Sequence, residues 1–273
     1  MIQERLKALR AEMEKRGITV YVVPTADFHE SEYVGDHFKA RKFITGFTGS
    51  AGTAVITAEE AGLWTDGRYF VQAENQLKGS TVTLYRMGEE GVPTVDEFVK
   101  DKLNEGGCLG FDGRVVNGTW GGKLEKIASA KNASMHVTED LIDLIWEDRP
   151  ALSKQPLFIL EEKYSGKSTA DKIADLRKAM KENGANVHIL TSLYDIAWLL
   201  NIRGNDIDYV PVVLSYLVLT ETECIWFLQE DVVDDKIRAY LDENHIITKP
   251  YNAVYDYVPD PGRRSRADEP RHG

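Results

Sequence analysis

The apolar and polar positions of residues 6–23 follow two successive patterns. Leu6, Leu9 and Met13 have the i, i+3, i+7 spacing of one helical face, and Gly17 stands where such a helix would end. The β-branched and apolar run that follows the glycine predicts a buried strand. The chain is therefore expected to open with a helix that stops at a glycine and leads into a strand.

The same pattern recurs in the second half of the chain. The segment "LKALRAEMEKRGITVYVV" (residues 6–23) aligns without gaps with "IADLRKAMKENGANVHIL" (residues 173–190). Met13 then falls on Met180, and Gly17 falls on Gly184. We interpret the match as an internal duplication. Two generic helix–glycine–strand units remain the alternative at this point.

Both halves continue with a pair of apolar runs about a polar turn. "TAVIT" and "GLWT" predict two strands in the first half, and "VPVVLSYLVLTETECIWFLQ" predicts a corresponding pair in the second. Asp66 is predicted to cap a helix whose inward face is Phe70, Ala73 and Leu77. The later part of the first half alternates strands and helices, in this order: "TVTLYR", a helix near 93–103, "CLGF", a helix over 117–131, and "LIDLIWEDR". The pattern indicates an α/β fold.

Prolines and polar residues interrupt this pattern between residues 149 and 156. We therefore place a first domain at residues 1–150 and a second at residues 151–258. From residue 259 the sequence "PDPGRRSRADEPRHG" loses the pattern, so residues 259–273 are expected to be a disordered tail. A natural terminus and a truncated or out-of-frame one both fit this composition.

Composition narrows the class of protein. The chain has 273 residues, 42% of them hydrophobic, and a formal net charge of −11, which disfavours nucleic-acid binding. It contains no apolar run long enough for a signal peptide or a membrane span, so a cytoplasmic location is expected. Cys108 and Cys224 lie far apart in the sequence and are expected to be reduced thiols.

Two stretches resemble chemical motifs but do not match them. "GFTGSAGT" (residues 46–53) lacks the G-x-S-x-G spacing because Thr48 takes the first glycine position, and it precedes a strand. A tight loop is the better interpretation, with nucleotide binding a weak alternative. "DFHESEYVGDH" combines imidazoles with carboxylates, yet its spacing matches no metal site, so a hydrogen-bonding loop is favoured over a metal site.

Arg68, in "WTDGRYF", stands in a sequence context typical of a buried arginine near the start of a helix. Its guanidinium could project into a cleft and bind a carboxylate or a peptide carbonyl, or it could form an internal salt bridge. Arg203 lies in "NIRGNDIDYVP" with Asp206 and Asp208 nearby, and an ion pair within that loop is expected.

Six motifs, taken together and in order, resemble the Xaa-Pro aminopeptidases of the creatinase/prolidase family. They are "PTADFHESEY", "FITGFTGSAGTAVIT", "LWTDGRYFVQA", "LIDLIWEDRP", "IADLRKAMKENGAN" and "SLYDIAWLLNIRGNDIDYVPV". Residues 1–258 are similar to the first two domains of the three-domain members. In those members the two domains share one fold, a mixed sheet flanked by helices with a ribonuclease-H-like motif, which supports the duplication. The resemblance therefore implies two such α/β domains in this chain.

The resemblance implies a metallopeptidase that releases the residue before proline. In the family two divalent ions, usually manganese, activate the attacking water, and their ligands belong to a third, pita-bread domain. Because this sequence lacks that domain, we assign no catalytic residue, no metal ligand and no cofactor to the chain. The family's second domain also continues beyond the position of Val258, so the second domain is expected to be incomplete.

The resemblance assigns one site residue. The arginine of the family's "WTDGRYF" motif reaches toward the active-site cleft, and Arg68 occupies its position, so Arg68 is the candidate for substrate binding. Asp27, His29 and Tyr33 match another family motif, to which we assign no role.

The chain is therefore expected to be the non-catalytic amino-terminal portion of an Xaa-Pro aminopeptidase, forming a cleft wall and subunit contacts. Its partners would be the catalytic domain, proline-containing peptides and a second copy in a homodimer. The alternative is a stand-alone, catalytically dead creatinase-like module that binds protein.

Overall fold

A computed structural model describes residues 1–258 of the chain, and the predicted tail, residues 259–273, lies outside them. The chain divides into two compact units, Met1–Leu152 and a second that begins at Ser153. Each unit has its own sheet and its own core.

The first unit contains five helices and six strands among the described residues. In chain order they are α1 (Ile2–Lys15), β1 (Val20–Pro24), α2 (Ala40–Thr45), β2 (Thr53–Thr57), β3 (Ala61–Thr65), α3 (Phe70–Gln76), β4 (Thr83–Arg86), α4 (Val95–Lys102), β5 (Cys108–Gly110), α5 (Gly118–Ser129) and β6 (Ser134–His136). Gly17 adopts a positive φ of 65° directly after α1, as its place in the sequence predicts.

The six strands form one mixed sheet in the order β4-β3-β2-β1-β5-β6. β2 runs antiparallel to β1 and β3, while the other neighbours pair in parallel. As a result, all strands except β2 end on the same side of the sheet, which we call the carboxyl edge. β2 begins there.

Alternating side chains of the strands divide the first core into two layers. Tyr21 and Ile56 face α1, α2 and α3, where Leu6, Leu9 and Met13 pack against them. Trp64 belongs to the opposite layer with residues of α4 and α5. Alternate residues of β1 point to opposite faces of the sheet, and both faces are covered, so every residue of β1 is buried.

The second unit contains the remaining described elements. They are β7 (Phe158–Ile159), α6 (Glu162–Ser165), α7 (Thr169–Glu182), β8 (Val187–Leu190), α8 (Leu193–Leu200), β9 (Ile202–Arg203), β10 (Tyr216–Thr220), β11 (Cys224–Leu228), α9 (Asp235–Glu243), β12 (Ile246–Pro250) and α10 (Val254–Tyr257). The main sheet has the order β12-β11-β10-β8, and β7 pairs separately with β9. β8 and β11 are antiparallel to β10, and β12 is parallel to β11.

The sheet of the second unit thus repeats the β4-β3-β2-β1 part of the first, with the same strand directions. Side-chain contacts repeat as well. Arg10 Nε donates to the Thr57 carbonyl at 2.8 Å, and the aligned Arg177 Nε donates to the Thr220 carbonyl at 3.1 Å. These repeated contacts, which generic helix–strand units would not share, confirm the predicted duplication.

A second pair of contacts follows the same rule. Arg5 Nη1 donates to the Phe43 carbonyl at 2.8 Å and its guanidinium lies 4.1 Å from the Phe43 ring centroid. The aligned Lys172 Nζ donates to the Trp198 carbonyl at 2.7 Å and lies 4.5 Å from the Trp198 ring centroid. In both units a cation on the opening helix therefore holds the helix that follows the first long strand.

Two local predictions were wrong. Asp66 does not cap α3, which begins at Phe70 with Tyr69 as its N-terminal flanking residue, and Phe70 is only half-buried while Ala73 and Leu77 are buried. The run "LIDLIWEDR" forms turns instead of a regular element. Leu141 and Ile142 from that run are nevertheless buried in the core, which accounts for its apolar pattern.

The ion pair expected beside Arg203 was also wrong. Arg203 Nη1 donates to the carbonyls of Ala197 and Ile202. Asp206 is buried and accepts from the Leu214 and Gln155 amides, at 2.8 and 3.2 Å, and its burial raises the pKa of its carboxyl. The arginine and the acid therefore each hold backbone groups of the loop.

Both cysteines are free and buried. Burial raises the pKa of the Cys224 thiol to about 12, so this thiol is inert at neutral pH. No helix within residues 1–258 combines the length and the apolar composition needed to cross a membrane.

The duplication yields a matched test of packing. Leu9 is 0% exposed, whereas the aligned Leu176 is only partly buried. We expect Leu9→Ala to lower the free energy of unfolding of its unit by about 3 kcal/mol and Leu176→Ala to lower that of its own unit by about 1 kcal/mol, because the larger cavity forms at the buried site. Hydrogen exchange read by mass spectrometry measures the two units separately, and equal losses would contradict the packing described here.

Candidate functional site

Four connecting segments meet at the carboxyl edge of the first unit. They are residues 25–33 after β1, 46–52 before β2, 66–69 after β3 and 111–114 after β5. In open α/β sheets, ligands commonly bind where parallel strands end, because loops from several strands converge there. Arg68, the candidate for substrate binding, lies in these segments, as do Asp27 and His29, to which the sequence assigned no role.

A buried arginine on α2 anchors two of these segments. Arg41 Nε donates to Thr25 Oγ1 at 2.9 Å, Nη1 donates to the Phe47 carbonyl at 2.5 Å and Nη2 donates to the Gly49 carbonyl. These three acceptors are uncharged oxygens, and burial lowers the pKa of Arg41 to about 10. The guanidinium therefore acts as a buried donor that fixes residues 46–52.

The glycines of this loop have a steric role. A Cβ atom on Gly49 would lie 2.2 Å from the Phe47 ring, which is too close for any other residue. The loop leads directly into β2, so the interpretation of "GFTGSAGT" as a tight loop is confirmed. Arg41 was not predicted as a buried residue, because nothing in the sequence "KARKFIT" distinguishes a buried arginine from an exposed one.

Asp27 organises the neighbouring loop. It is 1% exposed, and its Oδ1 accepts from the His29 and Ser31 amides, both at 2.9 Å. Its Oδ2 has no hydrogen-bond partner among residues 1–258. No group of three or more His, Cys, Asp or Glu side chains in that range is placed to hold a metal ion. The hydrogen-bonding loop favoured for this stretch is what the structure contains.

Arg68 forms an ion pair within its own turn. Asp66 Oδ1 accepts from the Arg68 amide at 3.1 Å and from Nε at 2.8 Å, and Oδ2 accepts from Nη2 at 2.8 Å. The Arg68 side chain is 69% exposed, so the expectation of a buried arginine was wrong. The internal salt bridge is present, and it leaves Nη1 without a hydrogen bond within the described chain.

The hydrogen bonds from Arg68 lower the pKa of the Asp66 carboxyl to about 2, because they favour its ionised form. The Arg68 guanidinium also lies 5.2 Å from the ring centroid of Tyr69, whose hydroxyl is 2.6 Å from Ser50 Oγ. That hydrogen bond, followed by the positive charge of Arg68, lowers the pKa of Tyr69. The 46–52 loop and Arg68 are thus joined through Tyr69.

A second copy of the Arg68 turn, which was not predicted from the sequence, lies after β5. Asp112, Gly113 and Arg114 follow β5 as Asp66, Gly67 and Arg68 follow β3. Asp112 Oδ1 accepts from the Arg114 amide and Nε, at 3.0 and 2.9 Å, and Oδ2 accepts from Nη2 at 3.0 Å. The repeated letters "DGR" were the available signal. We call these two turns the arginine forks.

Comparison with known proteins identifies the family. Sequence models described as "Creatinase/Prolidase N-terminal domain" match residues 5–145 and residues 148–268. The chain belongs to the creatinase/prolidase N-terminal domain family. This membership confirms the resemblance drawn from the six motifs and the duplicated α/β fold.

Individual relatives of this creatinase/prolidase chain carry related descriptions. It is 40% identical over 269 residues to "Probable Xaa-Pro aminopeptidase P" of Podospora anserina and 41% identical over 255 residues to the protein of the same description in Neurospora crassa. These matches cover 97% and 92% of this chain but only 39% and 37% of the relatives. The chain therefore spans about two fifths of the length of these relatives.

A solved structure resembles the whole described chain. It is the X-prolyl aminopeptidase of Caenorhabditis elegans, described as a cytosolic enzyme with a di-nuclear active site, with a TM-score of 0.91 and 33% sequence identity. The match covers 98% of the creatinase/prolidase chain and 45% of the C. elegans chain. Residues 1–258 of our chain supply no ligand group that would fit a di-nuclear centre.

The fork geometry predicts an unusual titration. We expect the Asp66 carboxyl carbon to titrate near pH 2 in the folded chain, and the midpoint to rise toward 3.8 in Arg68→Gln. A lowered folded-state pKa means that the stabilisation is present above pH 4 and is lost as the pH falls toward 2. NMR spectroscopy measures the midpoint. Arg86→Gln, which removes an exposed arginine paired with Glu74, is the matched control and should leave Asp66 unchanged.

Proposed function

We propose that this chain is the non-catalytic amino-terminal portion of an Xaa-Pro aminopeptidase and forms one wall of the cleft that holds the peptide. One observation carries the proposal. Nearly the whole chain matches the X-prolyl aminopeptidase of C. elegans, at a TM-score of 0.91, while the match takes up only 45% of that enzyme. The remaining part of such an enzyme would contain the catalytic residues and the metal ligands.

The carboxyl edge is the surface that we assign to the cleft wall. Arg68 supports this assignment because it is exposed, yet its own turn holds it in one orientation, so little conformational entropy would be lost on binding. Proline has no backbone N–H, so a peptide that contains it offers carbonyl acceptors in excess of donors. A guanidinium supplies only donors and is suited to such a ligand.

The remaining parts of the proposal come from the resemblance. The partner of the chain would be a catalytic pita-bread domain that binds two divalent ions, which we take to be manganese. The complete enzyme would be a cytoplasmic homodimer, in keeping with the cytosolic description of the C. elegans enzyme. The chain itself would contribute subunit contacts and no metal ligand.

The first prediction concerns activity. The purified chain with added manganese should release no amino-terminal residue from an Xaa-Pro-Pro peptide, because hydrolysis requires a metal-activated water. Amino-acid release is measured by chromatography, with the C. elegans enzyme assayed in parallel as a positive control. Turnover that copurifies with the chain and is stopped by a chelator would overturn the proposal.

The second prediction concerns Arg68. In an enzyme that joins this chain to the catalytic domain, Arg68→Ala should raise KM or lower kcat/KM for proline peptides, because a charged hydrogen bond is lost. The change should correspond to a loss of ~1–3 kcal/mol of binding free energy. Steady-state kinetics measures the change. Arg238→Ala removes an arginine of α9 in the second unit, which is not part of the carboxyl edge, and should leave the kinetics unchanged. Unchanged kinetics in Arg68→Ala would make Arg68 a purely structural residue.

A further inference from the structure

The two arginine forks lie on the same side of the same sheet. β3 and β5 run parallel to β1, so Asp66–Arg68 and Asp112–Arg114 both stand at the carboxyl edge. In the sheet order, β2 and β1 separate β3 from β5. Three strand spacings of roughly 4.8 Å separate the forks by about 14 Å across the sheet. Ala61 and Gly110 lie in one row of the sheet, so Asp66 stands about three residues, or roughly 10 Å, farther along the strand direction than Asp112. The two aspartates are therefore about 17 Å apart.

Stability alone gives little reason for two such turns. The Arg68 and Arg114 side chains are 69% and 42% exposed, and ion pairs in that setting contribute little to folding. What the turn does provide is orientation. In each fork the acid occupies Nε and Nη2, which sets the plane of the guanidinium at the edge of the sheet.

The acid also determines which ligand the fork suits. Because each guanidinium is already neutralised by its own aspartate, a second carboxylate gains less from it than from a free arginine. A neutral acceptor such as a peptide carbonyl meets no such competition. An extended peptide advances about 3.3 Å per residue, so carbonyls five residues apart would span about 17 Å.

Building on the function proposed above, we infer that Arg114 is a second peptide-binding residue. Together the forks hold one extended proline-containing peptide across the carboxyl edge. A tripeptide reaches one fork, whereas a peptide of six residues reaches both. The first unit therefore selects for peptide length, and its ligands are oligopeptides rather than di- or tripeptides.

The segment between the forks adds a charge preference. Glu30 accepts a hydrogen bond from Asn117 Nδ2, at the start of α5. The pKa of Arg68 is raised mainly by its hydrogen bonds to Asp66, and the charge of Glu32 adds a smaller contribution. Tyr33, in the same segment, is 46% exposed. A peptide that crosses this segment meets two carboxylates, so neutral or basic side chains are favoured over acidic ones in its middle.

Arg114 also has a structural contact that the experiment must separate from binding. Its guanidinium lies 4.5 Å from the Phe28 ring centroid, and Phe28 packs edge-on against Phe38 at 4.8 Å. Arg114→Gln removes both the fork and this contact. Arg114→Lys keeps a charged, apolar-stemmed side chain near Phe28 but cannot reproduce the planar fork.

The test is direct binding to the chain, independent of catalysis. Two peptides with amidated carboxyl termini, Ala-Pro-Ala and Ala-Pro-Ala-Ala-Ala-Ala, are titrated into the chain while NMR follows the Nε–H signals of Arg68 and Arg114. We expect the hexapeptide to bind about tenfold more tightly than the tripeptide, since one further charged hydrogen bond is made. Arg114→Gln and Arg114→Lys should both remove this gain and leave tripeptide binding unchanged. Arg238→Gln, in the second unit, is the charge-matched control.

Each outcome decides the inference. Equal affinities for the two peptides, or a hexapeptide gain that survives in both Arg114 variants, would overturn the role of Arg114. A loss of tripeptide binding in Arg114→Gln and Arg114→Lys would also overturn it, because it would indicate that Arg114 acts by ordering the Phe28 loop. If the chain binds neither peptide, selection for peptide length is also excluded. The proposed function is decided separately, by the turnover of Arg68→Ala.

Discussion

The carboxyl edge of the first unit depends on one buried guanidinium. Arg41 donates to Thr25 Oγ1 and to the carbonyls of Phe47 and Gly49, and thereby fixes the end of β1 to the loop that enters β2. Burying a charge without an anionic partner is costly unless its donors are satisfied. Here three acceptors satisfy them, so removing any one would leave a buried donor or carbonyl unpaired. The position of Ser50, and through it of Tyr69 and Arg68, follows from this arrangement.

The two units share one framework, but the framework does not determine the chemistry of a site. Their sheets repeat strand order and direction, and their opening helices repeat the same contacts through Arg10 and Arg177. Yet β3 is followed by an arginine fork, whereas β11 is followed by Gln229, Glu230 and Asp231. The framework is set by apolar packing, and the chemistry is set by a few residues in the connections.

Position in the sheet also separates the copies. Val22 of β1 is 1% exposed, but the aligned Ile189 of β8 is 37% exposed. β1 lies between β2 and β5, while β8 forms the edge of its sheet among the described residues. Aligned residues of similar type therefore differ in burial. For the same reason sequence comparison could recognise the duplication but could not foresee which strand would be covered.

Periodicity and glycine placement were enough to predict the opening helix of the first unit, its counterpart α7 in the second, the helices near α3, α4 and α5, most strands and the duplication, because apolar spacing is a local property of the sequence. The six motifs were enough to name the family. The state of individual charged side chains was not predictable: Arg68 proved exposed, Arg203 binds carbonyls instead of acids, and Arg41 was overlooked. Whether an arginine is buried, and which oxygen it meets, depends on residues that are distant in sequence. Only the folded sheet brings Thr25, Phe47 and Gly49 around one guanidinium, or aligns two Asp-Gly-Arg turns along one edge.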